Sequence, residues 1–226
     1  MWPTIGTAVL VVITGLFVGI VAGIPSVLIF GQSKNPASVG NGIIEAAFYL
    51  GGAAVLIPLL ERISERPSLH ALGVRPLSTR DWGIALGGLI AVLLLQFFYQ
   101  FVLIGAHQQN HIQAGFENFS VTSFDSGALM LLNGALIAPI VEELYFRGLI
   151  FNALAVRMPF AWAALGSGIL FGAAHGDPVL FPVLAIFGAV NALLYRASGN
   201  LVVPMLVHSA NNLIFLSLMI AVPGFH

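Results

Sequence analysis

The chain has 226 residues, of which 58% are hydrophobic and only 8% are charged, and its mean hydropathy is +0.98. A soluble domain carries about 25% charged residues, so this composition excludes an ordinary soluble protein and predicts a polytopic membrane protein. The formal net charge of -1 comes without a basic tail, so we expect no nucleic-acid partner. The absence of cysteine excludes disulfides and thiolate metal sites.

Seven apolar stretches are candidate membrane spans, each of which needs about 20 mostly apolar residues. In chain order they are residues 5–30, 39–60, 82–106, 127–155, 160–175, 179–195 and 201–222. The first lacks the basic leader of a signal peptide and is expected to be retained. The second contains Glu45, and the fifth and sixth are short. The sequence therefore predicts an all-α, polytopic transmembrane bundle of about seven spans, forming one domain over residues 1–226.

The basic residues predict the orientation of this bundle. The loop 61–81 contains Arg62, Arg66, Arg75 and Arg80, whereas the loop 105–125 contains no Lys or Arg. By the positive-inside rule the first loop is cytoplasmic, which places the N-terminus inside and Lys34 outside. The loop 105–125 is polar with interspersed phenylalanines, so it is either a lid or substrate rim, or a plain connector.

The fourth stretch carries the charges that need the most explanation, namely Glu142, Glu143 and Arg147. Each charge costs about 2.5–3.5 kcal/mol at a bilayer centre. Arg147 follows Glu143 by four residues and shares its helix face, so we predict that these two form an ion pair. Glu142 is then left free, and a carboxylate in an apolar surround suits a general base or acid near neutral pH. Alternatively, the cluster only ties helices together.

Pro139 lies three residues before Glu142 and is a predicted kink site, because its missing N–H frees a carbonyl one turn earlier. The stretch has about 29 residues, more than a hydrocarbon core of about 30 Å requires, so it must tilt, kink or protrude. A kink at Pro139 would open space beside the carboxylates, or it would be structural and nothing more.

Two histidines lie in later apolar stretches. His175 ends the fifth, and His208 lies in the seventh with Asn212 four residues on, on the same helix face. A lone histidine in a bundle is most often an interhelical hydrogen-bonding residue. Counted from the predicted inner ends, however, Glu142, His175 and His208 lie about 20, 22 and 12 Å deep, so tilted helices would bring them into one layer.

That constellation is typical of hydrolysis. A glutamate polarises a water molecule, one histidine helps to deprotonate it, and His208 with Asn212 donates hydrogen bonds to the oxyanion of a scissile carbonyl. Alternatively, Glu142 and the two histidines hold a zinc ion with water in the fourth position. The sequence leaves both mechanisms open, with no cofactor required or a divalent metal such as zinc. His107, His111 and His226 are expected to be solvated.

In sequence, Glu142-Glu143-x-x-x-Arg147, Phe171-x-x-x-His175 and His208-x-x-x-Asn212 resemble the CPBP family, also called the Abi family. This family comprises type II CAAX prenyl endopeptidases and bacterial relatives linked to bacteriocin processing or immunity. The likeness covers about residues 126–222, where we place the catalytic core.

The resemblance implies an all-helical intramembrane endopeptidase with a catalytic cavity inside the bundle, acting on a membrane-associated peptide or protein substrate, prenylated at its C-terminus or not. Glu142 would be the water-activating base, Glu143 and Arg147 its supporting pair, His175 a helper with the water, and His208 with Asn212 the oxyanion site. The short loops favour the prokaryotic kind, in a cell membrane and in contact with lipid. The alternatives are a non-proteolytic binding or immunity protein and a small proton-relaying transporter.

Overall fold

The computed structural model describes residues 5–35, 37–63, 72–107 and 121–221, and in these ranges the chain forms helices and no β-strand. We number the helices α1 to α7. They span Ile5–Phe30, Val39–Ile63, Thr79–Gly105, Phe124–Ala155, Phe160–Ala174, Phe181–Ser198 and Val202–Ala221. All except α5 are long and apolar enough to cross a membrane. The prediction of an all-α polytopic bundle is confirmed.

Helix α4 is irregular where the charged residues lie. It alternates between α-helical segments (Phe124–Leu132, Ala138–Glu143 and Asn152–Ala155) and two π-helical segments (Asn133–Ile137 and Leu144–Phe151). Pro139 lies just beyond the first π segment, in which the Asn133 carbonyl accepts from the N–H of Ala138, five residues on. Single π turns are frequent at functional sites. The two glutamates therefore sit between two stretches of widened helix.

The other helices pack around α4 in two groups. Helices α1 and α2 form one hairpin, α5 and α6 form another, and α3 packs against α6 and α7. Helix α4 contacts α1 and α2 on one side and α5, α6 and α7 on the other. The outward faces of the bundle remain apolar, with Phe17, Phe97, Phe98 and Trp162 each more than half exposed, as expected for helices surrounded by lipid.

The α5–α6 hairpin approaches closely through glycine. A Cβ added at Gly168 would clash with the backbone carbonyl of Ala185, and one at Gly188 would lie 2.8 Å from the Cα of Gly168. Small residues at such contacts let membrane helices pack backbone to backbone. This close approach also places the carbonyl of Gly188 against α4.

Several basic residues lie at one end of the bundle. Arg75 pairs with Asp81 at 2.7 Å and donates to the carbonyl of Ser198 at 3.1 Å, which ties the segment before α3 to the α6–α7 turn. Arg80 donates to the carbonyl of Ala197, beside Arg196. The α1–α2 turn with Lys34 lies at the opposite end. Arg66 and most of the loop proposed as a lid (residues 108–120, including His111), as well as His226, lie outside the described residues.

Candidate active site

Glu143 points into the closed side of α4, toward α6 and α7. Its side chain is fully buried, and its Oε1 accepts from Nη1 of Arg147 at 3.0 Å, which confirms the predicted i,i+4 pair. The same oxygen accepts from the amide of Asn191 on α6 at 3.4 Å. A buried carboxylate needs such partners, because an unpaired charge in an apolar interior costs several kcal/mol.

Arg147 is held from three directions. Besides Glu143, its Nη2 donates to the carbonyl of Gly188 on α6 at 2.7 Å. Its guanidinium carbon lies 4.8 Å from the centre of the Phe171 ring on α5, a cation–π distance. Arg147 thereby fastens α4 to both helices of the α5–α6 hairpin.

His208 on α7 bridges the two carboxylates. Its Nδ1 lies 3.0 Å from Oε1 of Glu143, and its Nε2 lies 3.8 Å from Oε2 of Glu142. Because a carboxylate only accepts, Nδ1 carries a hydrogen and Nδ1–H donates a hydrogen bond to Oε1 of Glu143. The rings of Phe171 and Phe187 lie edge-on to the imidazole, which is 3% exposed. The 3.8 Å separation from Glu142 is too long for a direct hydrogen bond.

Glu142 faces the open side of α4. Its Oε1 accepts a 2.7 Å hydrogen bond from the hydroxyl of Tyr49 on α2, and its side chain is 17% exposed. It lines a cavity of about 370 Å³ whose walls come from α1, α2, α4 and the end of α5. Tyr49 occupies one carboxylate oxygen, so the other, which is nearer His208, remains for a small molecule in this space.

His175 lines the same cavity as Glu142. It caps the C-terminus of α5, and its Nδ1 lies 2.8 Å from the carbonyl oxygen of Phe171. A carbonyl only accepts, so Nδ1 carries the proton and Nε2 is left with its lone pair. The structure thus brings Glu142, His175 and His208 to one region of the bundle, as the sequence predicts.

Asn212 lies one turn beyond His208 on α7, and the structure ties it to α4. Its amide donates to the carbonyl of Gly134, in the first π segment, at 2.8 Å. An amide has two N–H groups, so a second remains after this bond. Asn212 is therefore fixed at the α4–α7 contact rather than in direct contact with a glutamate.

The described residues include no group of three or more His, Asp and Glu side chains arranged to hold a metal ion. His208 directs Nδ1 at Glu143, and Glu142 directs Oε1 at Tyr49, so Nε2 of the histidine and Oε2 of the glutamate face each other at 3.8 Å. The zinc alternative therefore stays a prediction.

Comparison with known proteins bears on this arrangement. Residues 124–214, from the start of α4 to the middle of α7, match the family described as type II CAAX prenyl endopeptidase Rce1-like. We refer to these residues, which are similar to that family, as the Rce1-like domain. The Rce1-like domain contains every residue that the sequence singles out as catalytic and excludes α1, α2 and α3.

The chain is also similar to three named proteins. YdiL of Bacillus subtilis, which is named as a membrane peptidase, is 33% identical over 84 residues, covering 37% of this chain and 34% of YdiL. CAAX prenyl protease 2 of Homo sapiens is 31% identical over 101 residues, covering 36% of this chain and 31% of the human protein. The membrane-embedded CAAX protease MroQ of Staphylococcus aureus is 23% identical over 219 residues, covering 94% and 87%. No solved structure matches the chain.

The chain thus aligns with about a third of the length of two of these relatives. It aligns along most of MroQ at lower identity.

Two contacts at this site are not predicted from the sequence. Tyr49, outside the Rce1-like domain, binds Glu142, and Asn191, inside it, binds Glu143. The only sequence signal for Tyr49 is its place four residues after Glu45, in an otherwise apolar stretch, which marks a polar helix face. Asn191 is a lone amide in an apolar helix, which indicates a buried hydrogen bond but not its partner.

Proposed function

We propose that the chain is an intramembrane endopeptidase that hydrolyses a peptide bond of a membrane-associated substrate, with Glu142 as the base that activates water. The observation that carries this proposal is that two adjacent carboxylates lie in different environments. Glu143 is enclosed and paired with Arg147, whereas Glu142 keeps one oxygen in a cavity that it shares with His175. A structural charge cluster has no need of the second arrangement.

The first step is attack of water on the scissile carbonyl. The free oxygen of Glu142 takes a proton from the water while the new C–O bond forms, and the lone pair of His175 Nε2 orients the same water. The hydroxyl of Tyr49 holds the other oxygen of Glu142, which fixes the direction of the base. Preorganised geometry of this kind lowers the barrier because little is rearranged during the reaction.

The tetrahedral intermediate carries a negative oxygen that needs hydrogen-bond donors. His208 directs Nε2 toward Glu142 while its Nδ1–H stays on Glu143, so Nε2, when it carries a proton, would donate a hydrogen bond to this oxygen. The second N–H of Asn212 completes the oxyanion site. Collapse of the intermediate breaks the C–N bond, and the proton held by Glu142 passes to the leaving amine.

Glu143 and Arg147 act through His208 rather than on the substrate. Glu143 fixes the orientation of the imidazole by accepting from Nδ1–H, and Arg147 holds the Glu143 carboxylate in place. We assign no step to a metal ion, and the chelator reactions described below test the metal–water alternative.

The membrane sets the surroundings of this reaction. We infer that the end bearing Arg75, Arg80 and Arg196 is cytoplasmic, which places the N-terminus inside the cell, and that the outward apolar faces contact lipid. The names of two relatives refer to CAAX proteases, so a farnesylated peptide ending in a CAAX sequence is the first substrate to test. A prokaryotic cell membrane remains our expectation for its location.

The test is cleavage by the purified protein in liposomes, followed by mass spectrometry of the products. A farnesylated CAAX peptide and the same peptide without the farnesyl group are each incubated with three proteins: wild type, Glu142→Gln and Asp125→Asn. The last variant removes a charge far from Glu142 and serves as the control. We expect cleavage by wild type and Asp125→Asn, and a loss of about 10³-fold in Glu142→Gln, within the range for a general base. Undiminished cleavage by Glu142→Gln contradicts the mechanism.

A strong zinc chelator is added in a parallel set of reactions. We expect the rate of the wild type to be unchanged by the chelator. Loss of cleavage that returns on adding zinc would replace the glutamate–water mechanism with a metal–water one. Binding of both peptides without cleavage by any form would favour a non-proteolytic binding protein.

A further inference from the structure

A second cavity follows the seam between α1 and α2, outside the Rce1-like domain. Its volume is about 670 Å³, within the range of about 300–1,000 Å³ for ligand sites. On α1 its walls follow a helical i,i+4 pattern, and on α2 they run from Asn41 to Phe48. The lining residues are Gly19, Ile20, Gly23, Ile24, Val27, Leu28, Gln32, Ser33, Asn41, Ile44, Glu45 and Phe48. We call this cavity the α1–α2 groove.

The α1–α2 groove leads to the candidate active site. Phe48 lines both the groove and the cavity that contains Glu142. From Gly19 to Leu28 the groove follows α1 for about 14 Å, at 1.5 Å per residue, and it continues past the helix end to Ser33. An extended peptide advances about 3.3 Å per residue, so about four residues would fill the helical part. A substrate lying there would enter the Glu142 cavity at its inner end.

Glu45 places a carboxyl group in the wall of this groove. It lies in a helix long and apolar enough to span the membrane, and its side chain is exposed from the protein. Among the described residues it has no hydrogen bond or ion pair, and the groove lining contains no Lys or Arg. A carboxylate at membrane depth is costly unless a cation or a donor meets it. The groove itself supplies no cation.

Glu45 is also in register with the site. It lies one helical turn before Tyr49, on the same face of α2, and Tyr49 binds Glu142. One turn is about 6 Å along the axis, the length of about two extended peptide residues. A side chain paired with Glu45 would therefore belong to a residue about two positions from the bond that faces Glu142.

We propose that the α1–α2 groove binds an extended segment of the peptide substrate and that Glu45 pairs with a Lys or Arg about two residues from the scissile bond. This inference rests on the proposed function and names its substrate class: membrane-associated peptides with an apolar segment and one cationic side chain. The apolar walls match the segment, and Glu45 makes charge the specificity determinant.

The test uses lipid-anchored peptides of twelve residues, mostly Ala and Leu, in which a single Lys is moved through every position, with Gln in its place as the matched control. Binding is measured first on Glu142→Gln, by fluorescence anisotropy in liposomes, so that no cleavage is needed. We expect Lys at one position to bind about tenfold more tightly than Gln there, between the effects of an exposed and a buried ion pair.

The preference must depend on Glu45. Adding Glu45→Gln should abolish the tenfold difference and leave binding of the Gln peptides unchanged, whereas adding Asp125→Asn should preserve it. Adding Glu45→Lys should reverse it, so that a peptide with Glu at the same position binds better than the Lys peptide. Equal binding of Lys and Gln peptides at every position, or an equal loss for both in the Glu45→Gln background, overturns the proposal.

A steric variant tests the groove independently of its charge. A Cβ at Gly23 would meet its nearest atoms, in Ile44, at 3.8 Å, so Gly23→Leu fits the backbone and extends into the groove. Gly87 on α3 has nothing within 4 Å and is exposed, so Gly87→Leu is the matched control. We expect Gly23→Leu to weaken binding of the Lys peptide about tenfold and Gly87→Leu to leave it unchanged. Unchanged binding by Gly23→Leu removes the groove as the docking site.

The two proposals fail differently in this design. If wild type cleaves the peptides without any preference for Lys, the endopeptidase stands and the role of Glu45 falls. If the Lys preference appears in binding but wild type cleaves nothing, the groove stands and the endopeptidase falls.

Discussion

Each side of α4 carries one glutamate, and the two glutamates differ in their burial and in their hydrogen-bond partners. On the side facing α6 and α7, Glu143 is fully enclosed with Arg147, Asn191 and His208. On the side facing α1 and α2, Glu142 has one protein partner, Tyr49, and a cavity. One residue of helical rotation, about 100°, separates the two environments. The closed side is packed around a buried ion pair and the open side borders a cavity, so changes on the two sides should have separable effects.

The largest expected effect is on stability, from the closed side. Glu143→Ala leaves Arg147 buried without its ion-pair partner, which should lower the free energy of unfolding by about 3–5 kcal/mol. Glu142→Ala removes one hydrogen bond at a cavity wall and should lower it by about 1 kcal/mol or less, while abolishing cleavage. Reversible unfolding in mixed micelles measures both. Equal losses of stability would show that the two sides do not differ.

Asn212→Ala should lower kcat by about 10²–10³-fold, the usual cost of one oxyanion donor. Asn212→Asp keeps the size of the side chain but not the amide donors, so it should be as slow. The liposome cleavage assay gives kcat and KM separately. A rise in KM with unchanged kcat would assign Asn212 to substrate binding instead.

A stability test of the closed side that leaves its charges intact is Gly168→Ala. The added methyl group meets the backbone of α6, so the α5–α6 hairpin must separate, at a cost of about 1–3 kcal/mol. Gly83→Ala, on an open face of α3, is the control and should be neutral or slightly stabilising. Equal unfolding of the two variants would mean that close helix approach does not hold the closed side together.

The smallest effect should come from the open side. Tyr49→Phe removes only the hydroxyl that holds Glu142, and we expect kcat to fall about tenfold, because one hydrogen bond to a charged group contributes about 1.5 kcal/mol or more. Tyr145→Phe removes a hydroxyl in the same cavity that binds the carbonyl of Gly52 instead, so its effect on kcat should be smaller. If both variants are equally slow, the hydroxyl of Tyr49 has no special relation to the base.

Local patterns in the sequence predict what helix geometry alone determines. The seven apolar stretches predict the helices, and the four-residue spacing predicts the Glu143–Arg147 pair, which the structure confirms. Contacts between distant helices follow no such rule: Tyr49 lies 93 residues from Glu142, and no local period relates them. Pro139 indicates an irregularity in α4, but not that widened turns flank both glutamates.

The roles predicted for His175, His208 and Asn212 stay predictions, and these residues lie at different places relative to the glutamates. The structure places His208 between the glutamates and His175 in the cavity, whereas Asn212 binds the α4 backbone at Gly134. Spacing along one helix gives the face of a residue but not the rotation of that helix against its neighbours. That rotation decides which polar groups meet.

Helix α5 has 15 residues and spans about 22 Å, less than a hydrocarbon core of about 30 Å. A bilayer meets a short helix by thinning around it, at a modest cost for each ångström of mismatch. Because His175 ends this helix, we expect such thinning to bring bulk water closer to the cavity that contains Glu142. If the chain hydrolyses peptides as proposed, the lipids then influence how easily water reaches the cavity. The rate of cleavage should therefore change with the acyl-chain length of the lipids.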